Sequence, residues 1–378
     1  MRFLKLSFLI AVIACENWPE NKSQEFFDFG KEEYGVSAIP YSDGGMIIGG
    51  TTTSIRGNQD MLLMRLDDSH QKLWVKAIGG NAIDRCHDVF ELSDHSVVAV
   101  GSVQKSVGNN DMLIVRLSKY GEIIWSKNIG GIYNEEARAV VQANDGNIIV
   151  AGTTASFGAG SNDVFLVKMN LAGALLWQKT YGDQKVSGAY DIQLTKDKGF
   201  IISGFMANGI TPYDAMLIKI SESGEEQWTR TYPKSGKANA KRVIELSDQS
   251  FLVTGIAQYS DVPGSNSSFV FHADATGNII WYQNYNIFVN NESFDMVVLN
   301  EQNAVVTGFI DGANTQLYAL TVNLSDGIPN GFKRYLDGAT SWGYSIIKTE
   351  NKFWAIGGVI DSDNRTTDVA VIEITLPL

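Results

Sequence analysis

Seven times along this chain an acidic residue is followed, seven positions later, by a Gly that closes a β-branched run. The pairs are Asp43 and Gly50, Asp94 and Gly101, Asp145 and Gly152, Asp197 and Gly204, Asp248 and Gly255, Glu301 and Gly308, and Glu350 and Gly357. In five units a Trp follows (Trp74, Trp125, Trp177, Trp228, Trp281), always 20 residues before the next acidic residue. A period of 49–53 residues means one small supersecondary unit repeated, each burying its faces against its neighbours. In the third unit the pattern predicts four strands, A to D, over Ala137–Val141, Asn147–Ala151, Val164–Met169 and Trp177–Tyr181. Alternation along them is partial, as expected where both faces of a sheet are covered. No segment sustains a 3.6-residue period, so little helix is expected.

The ends of the chain complete the count. The seventh unit stops at "DVAVIEITLPL", a strand C with no strand D, while "QEFFDFG" (residues 24–30) precedes the first strand A as an orphan strand. A ring left open there would expose a bare sheet edge. The sequence therefore predicts an all-β, seven-bladed β-propeller of four-stranded antiparallel blades over residues 24–378, closed by the N-terminal strand in the last blade. If the Asp-to-Trp spacing of strand C (Asp60, Asp111, Asp163, Asp214) holds in the degenerate units, strand C starts at Ser267 and Gln316. The A–B hairpin then never varies, Asn330 replaces the Trp of the sixth unit, and every length change falls in the B–C loops. That puts the chain's individuality on the rim shared by the B–C loops and D–A connections.

The third unit also carries Gly146, Asn147, Gly152, Thr153, Asp163, Lys168, Gly173 and Trp177. With these it resembles the bacterial β-propeller repeats of the SBBP type. The resemblance covers about residues 24–378 and implies the fold and an envelope or extracellular setting, but no activity. The turn at 273–281, "ADATGNIIW", is similar to the docking turn of quinoprotein propellers but is one residue short and lacks a cofactor-binding set; no cofactor is expected. Gly49-Gly50 and Gly357-Gly358 resemble kelch doublets, but the Trp lies 24–26 residues on, too far for a kelch blade.

The N-terminus bears on location. Arg2 and Lys5 precede an apolar run that ends in Val12-Ile13-Ala14-Cys15, which resembles a bacterial lipobox. On that reading residues 1–14 are a lipoprotein signal peptide, Cys15 is lipidated, and 15–23 form a polar tether. The expected place is the bacterial envelope, on the periplasmic or surface face of the outer membrane, with the membrane touched through the lipid anchor only. Cys86 is then the remaining thiol, expected in the core. A net charge of −12 argues against nucleic acid as a partner.

Residues that break the repeat are better site candidates than residues that make it. The recurrent Trp side chains read as blade packing. Six residues before each acidic turn stand Ser37, Asp88, Ala139, Asp191, Arg242, Asp295 and Tyr344, a polar series on the innermost strand. Two positions earlier the series is small (Gly35, Cys86, Ala137, Ala189, Ala240, Ser293) until Trp342, expected to plug the channel or offer a stacking surface. The fifth B–C loop adds Tyr259 and Asp261. The candidate binding set is thus Asp191, Arg242, Asp295, Trp342, Tyr344, Tyr259 and Asp261; Asp–Arg pairs locking blades together are the structural alternative. No P-loop, HExxH or metal-ligand spacing occurs, and "DSDNRTTD" (361–368) lacks the Gly and closing Glu of a calcium loop. The expected function is a monomeric binding or scaffolding module for a protein or glycan, with no catalysis and no metal. The alternative is a lectin, or a glycosidase or lyase using Asp191 and Asp295.

Overall fold

A computed structural model describes residues 24–375, except 31, 54–57, 208–212, 234–235, 259–264, 288–289, 312–313, 337–338, 351 and 361–365. Every regular element among the described residues is a strand, arranged as seven four-stranded antiparallel sheets. The innermost strands A of blades 1 to 7 are Glu33–Pro40, Asp84–Glu91, Glu135–Gln142, Ser187–Leu194, Ala238–Glu245, Asn290–Val298 and Thr340–Thr349. Strand C of blades 5 and 6 aligns as the spacing predicts, Gly255 facing Phe269 and Gly308 facing Tyr318, so Ser267 and Gln316 stand where Asp60 stands in blade 1.

The ring closes as the chain ends predict. Gln24–Phe27 pairs antiparallel with Thr367–Ile374, Gln24 facing Ile372 and Phe27 facing Val369. Phe27 and Phe29 pack on the apolar cluster shared by blades 7 and 1, around Ile48, Leu62, Ile356 and Val369. Such clusters lie between neighbouring blades around the ring and form its core. That explains strands B and C being buried along nearly their whole length.

The anchor Gly has a steric cause. In all seven blades strand A carries a β-bulge, which throws one residue out of register. The carbonyl preceding the bulge presses onto the anchor Gly of strand B. A Cβ built on Gly152 would collide with the Glu136 oxygen, and the same holds from Gly50 on Tyr34 to Gly357 on Trp342. The acidic turn residue has an electrostatic cause. Its carboxylate reaches the cation five residues into strand C: Asp43 to Arg65, Asp94 to Arg116, Asp145 to Lys168 at 2.6 Å, and Asp197 to Lys219 at 2.8 Å. The partly buried cation gains a charged partner at the sheet end without leaving its strand. Blade 7 reverses the charges, with Glu373 at the cation position paired to Lys352 at 3.1 Å.

The Trp series is blade packing, as its regularity predicts. Each ring of strand D covers the left-handed Gly in the C–D turn of the next blade: Trp74 on Gly121, Trp125 on Gly173, Trp177 on Gly224, Trp228 on Gly277 and Trp281 on Gly327. The indoles of Trp74, Trp125 and Trp281 donate Nε1–H to carbonyls of those turns. At the closing seam strand D comes from the N-terminus, and the Gly position of blade 1 is His70, held at φ 58°. Its ring packs edge-on against Trp354 at 4.1 Å, and its Nδ1 lies 3.2 Å from Glu25 Oε1.

Two sequence alignments need correction. In blade 6 the residue opposite the strand C cation position is Gly331, and Asn330 is the residue bulged out of register. In blade 7 Gly357 faces Gly343, one residue closer in sequence than in the other blades, where Gly50 faces Gly35. The A–B hairpin of blade 7 is therefore one residue shorter, and Ser345, not Tyr344, continues the polar series of Asp295.

Gly152→Ala should lower unfolding stability by about 3 kcal/mol, because the clash is with backbone that cannot step aside. Gly146→Ala, at φ 78° with open space around it, should cost only about 1 kcal/mol. Urea titrations of the two variants measure the difference.

Candidate functional site

The strand A bulge aims two consecutive side chains of each blade at the channel. The second of each pair forms a ring of seam clamps. Asp88 accepts the Val140 N–H at 2.9 Å, Asp191 the Val243 N–H at 3.0 Å, and Asp295 the Ile346 N–H at 2.9 Å, each time from the next blade. Ser345 Oγ accepts the Ala38 N–H at 3.3 Å, carrying the pattern across the closing seam. Ser37 Oγ donates to Asp88 at 2.7 Å. Arg242 bridges two blades, its Nη1 3.3 Å from Asp191 and its Nε 3.2 Å from Asp295. Blade 3, with Ala139 at this position, supplies no clamp to blade 4.

Three of the sequence candidates, Asp191, Arg242 and Asp295, thus come together as one clamp. Both carboxylates are engaged by several donors. Asp295 also accepts Met296 N–H at 2.8 Å and Ser345 Oγ–H at 2.9 Å, and Asp191 accepts Ile192 N–H and the Gln193 amide, both at 2.9 Å. Burial opposes the charge on Arg242, but Asp191, Asp295 and Asp88 outweigh it and hold the guanidinium firmly protonated. Asp191 and Asp295 are thus held in place as seam clamps, tied to backbone N–H groups and to Arg242.

The first residue of each pair, the bulge residue itself, was missed by the spacing argument except at Tyr344, which the shorter hairpin of blade 7 brought into its series. These are Val36, His87, Arg138, Tyr190, Lys241, Phe294 and Tyr344. They narrow the channel to a cavity of about 90 Å³. No two neighbouring positions carry the same side chain, which is the signal that could have found them. One arc is basic. His87 Nε2 lies 2.8 Å from Glu136 Oε1, and Glu136 also holds Arg138 at 2.5 Å. Burial alone would raise the Glu136 carboxyl, but His87 and Arg138 outweigh it and hold it at about 2. Lys241 places its ammonium 3.4 Å from the centre of the Tyr190 ring, and burial together with the Arg138 charge pushes the amine down to about 7. The other arc is aromatic: Tyr344 meets Phe294 edge-on at 5.0 Å and Tyr34 at 6.2 Å. Burial pushes the Tyr344 phenol up to about 12, so it stays a donor at neutral pH.

Trp342 does not line this cavity, contrary to the sequence expectation. With the hairpin one residue shorter, its position matches Tyr34 and Glu292 rather than Cys86 and Ala137. Its ring lies across Gly358, its cross-strand partner, filling the space that the Gly leaves. Tyr259, Asp261, Cys15 and the segments 1–14 and 15–23 lie outside the described residues. Cys86 is buried between blades 1 and 2, its thiol pushed up by burial.

Two further places stand out on the surface. At the seam of blades 7 and 1, exposed Asp28 joins buried Glu33 and Asp368, with one oxygen of each within 4.8 Å of the others, the donor type a hard cation takes. Glu33 already accepts from Thr52 Oγ1 at 3.2 Å and Phe29 N–H at 3.3 Å. On the opposite face the same seam opens into a groove of about 690 Å³, lined by Tyr41, His70, Lys348, Glu350 and Trp354 among others.

Residues 42–68 and 143–175 match the family described as a domain of unknown function (DUF5122) beta-propeller. Both segments run from an A–B turn into the C–D turn, in blades 1 and 3. No curated protein matches the chain. Among solved structures it is similar to the WD40 domain of Neurospora crassa Pan2, at 8% identity and a TM-score of 0.58, covering 92% of this chain and 98% of that one. It is also similar to Sqt1 from Chaetomium thermophilum (11%, TM-score 0.55, 95% and 100% covered) and to a protein of unknown function from Dyadobacter fermentans (10%, 0.53, 94% and 99%). At such identities the likeness carries the fold alone.

Removing the bridging cation by Arg242→Ala leaves two buried carboxylates facing each other and should cost about 3 kcal/mol, measured by thermal denaturation. Asp88 tests the clamp by pH. Burial pushes its carboxyl up to about 6, against the Ser37 and Val140 hydrogen bonds. A carboxyl whose folded pKa lies above its unfolded value binds its proton more tightly when folded. Its ionisation therefore costs stability as pH rises from about 4 through 6. Asp88→Asn removes that cost, so the variant should gain about 2 kcal/mol on the wild type between pH 4 and pH 7, read from urea titrations at both. The chain is a β-propeller repeat protein, with parts of two blades matching DUF5122.

Proposed function

We propose that this protein is a binding module of the bacterial envelope, held there by an acylated Cys15, and that its ligand is recognised at the mouth formed by the strand A bulges. The observation that carries this reading is the asymmetry of that ring. A repeat that is uniform in its Gly and acidic anchors presents side chains of six different types at the seven positions of one depth, basic on one side and aromatic on the other. Such a mouth suits a segment bearing an acidic group beside a flat apolar face, as on a protein partner. The Lys241 amine, poised near neutrality, becomes the ammonium that meets the acid. The SBBP-type resemblance and the lipobox-like Val12-Ile13-Ala14-Cys15 support the envelope setting. No helix among the described residues is long and apolar enough to cross a membrane.

The aromatic arc of Tyr34, Phe294 and Tyr344 supports a second reading, in which the flat face belongs to an acidic sugar. The clamp role of Asp191 and Asp295 then favours a lectin over a hydrolase. Arrays of acidic peptides and of uronate-bearing glycans, probed with the purified chain, separate the two readings. Lys241→Ala and Tyr344→Ala should each weaken the selected probe about tenfold or more. Wild-type affinity should fall as pH rises through about 7, where the amine loses its proton. Uniform non-binding, or binding indifferent to both substitutions, rejects this mouth as the site.

A further inference from the structure

The outer strand of blades 1 to 6 carries a second bulge, directly after the C–D turn. The residue thrown out is Leu73 in blade 1, Ile124 in blade 2, Leu176 in blade 3 and Ile280 in blade 5, against Gln227 in blade 4 and Asn330 in blade 6. These aliphatic side chains stand out in solvent, at 57%, 50%, 49% and 55% exposure, and Ile123 and Leu175 beside them are equally open. Over blades 1 to 3 they recur blade after blade along one edge of the cylinder. Tyr120, 69% exposed on the adjoining turn, and the exposed Lys72, Lys119 and Lys127 accompany it. A polar residue would serve a bulge equally well, as Gln227 and Asn330 show, so the bulge geometry does not demand the apolar side chains.

The same end of the cylinder is where the chain leaves toward its N-terminus. Gln24 pairs with Ile372, two residues from the C–D end of the last strand, and blade 7 adjoins blade 1. Eight residues separate Cys15 from Gln24, a reach of about 28 Å at full extension. We infer that the C–D edge of blades 1 to 3 rests on the lipid surface, its aliphatic bulges in the interface and its lysines at the headgroups. This rests on the envelope-anchored reading above. The lipid on an acylated Cys15 would hold the chain at the bilayer but leave its orientation free, and an apolar, lysine-flanked edge is the contact that would fix it. In blades 1 to 3 Arg65, Arg116 and Lys168 neutralise Asp43, Asp94 and Asp145, while Lys72, Lys119 and Lys127 stand against Asp67, Asp68 and Glu122 of the C–D turns. Docked so, the propeller turns its B–C rim and the mouth at Lys241 and Tyr344 away from the bilayer.

The test places the full chain, with Trp18→Phe to silence the tether, on phosphatidylethanolamine–phosphatidylglycerol vesicles whose acyl chains carry bromine. Trp74, Trp125 and Trp177 flank the bulges, so contact should quench tryptophan fluorescence. The triple variant Leu73→Glu, Ile124→Glu, Leu176→Glu should still float with the vesicles but lose the quenching, with an unchanged melting temperature showing that it folds. Cys15→Ala tests the anchor separately. Flotation lost with Cys15→Ala supports the anchor; quenching that persists in that variant rejects the anchor and keeps the edge. Equal quenching in wild type and triple variant, or flotation without quenching, overturns the edge contact. So does a doubled mass in sedimentation that the triple variant abolishes while vesicles quench nothing, which would assign the edge to a second copy of the chain.

Discussion

The contact between a backbone carbonyl of strand A and the bare Cα of the Gly opposite is the constraint on which the rest of the molecule depends. With any side chain at that Gly, strand A could not bulge. Without the bulge, strand A would alternate strictly, sending successive side chains to opposite faces of its sheet. The bulge breaks that alternation once per blade and yields two adjacent inward residues. One is spent on the seam and the other is left for the mouth. A single steric allowance, repeated seven times, therefore generates both the mechanical clamp and the surface that differs from blade to blade.

The seams show how a ring of near-identical sheets stays closed without long-range connections. Blades reach into their neighbours at up to three depths: a carboxylate or hydroxyl on a backbone N–H at the channel, supplied by blades 2, 4, 6 and 7, an apolar cluster through strands B and C, and an indole or tyrosine hydroxyl on the C–D turn outside. Tyr181, Tyr232 and Tyr285 donate to the carbonyls of Gly224, Gly277 and Gly327 at 2.7–2.8 Å. The closing seam keeps the first two layers and rebuilds the third. His70 takes the place of the turn Gly, Trp354 approaches from strand B rather than strand D, and Glu25 ties the imported strand to the turn. A strand supplied from the far end of the sequence has no repeat to supply its Trp, so the packing is made by other residues.

The architecture was legible because it rests on local rules that recur: Gly where backbones touch, Asp where a strand C cation ends, Trp where the next turn arrives. Even strand C of blades 5 and 6 was placed at Ser267 and Gln316 from spacing alone. What was not legible is register. The acid-to-Gly spacing of blade 7 is the same as elsewhere, yet its hairpin is one residue shorter. That slip moved Trp342 out of the channel and hid the equivalence of Ser345 with Asp295. A bulge leaves no composition of its own, so the residues it selects, from His87 to Phe294, were passed over until strands A and B were paired, their variation from blade to blade being the one trace of them in the sequence. The clamp roles of Asp191, Arg242 and Asp295 were recognisable as charge complementarity on neighbouring blades, though not the ties of the carboxylates to backbone N–H groups.

The four-residue closing strand has a mechanical consequence. It runs antiparallel to the final strand, and its free end points along that strand's own axis. Tension applied upstream of Gln24 therefore loads the four cross-strand pairs from Gln24 to Phe27 side by side, in shear, instead of peeling them one after another. A ladder this short would give way easily if unzipped; pulled lengthwise, it shares the load among all its bonds. The ring is thus latched most firmly against a force from the direction in which its own N-terminus departs.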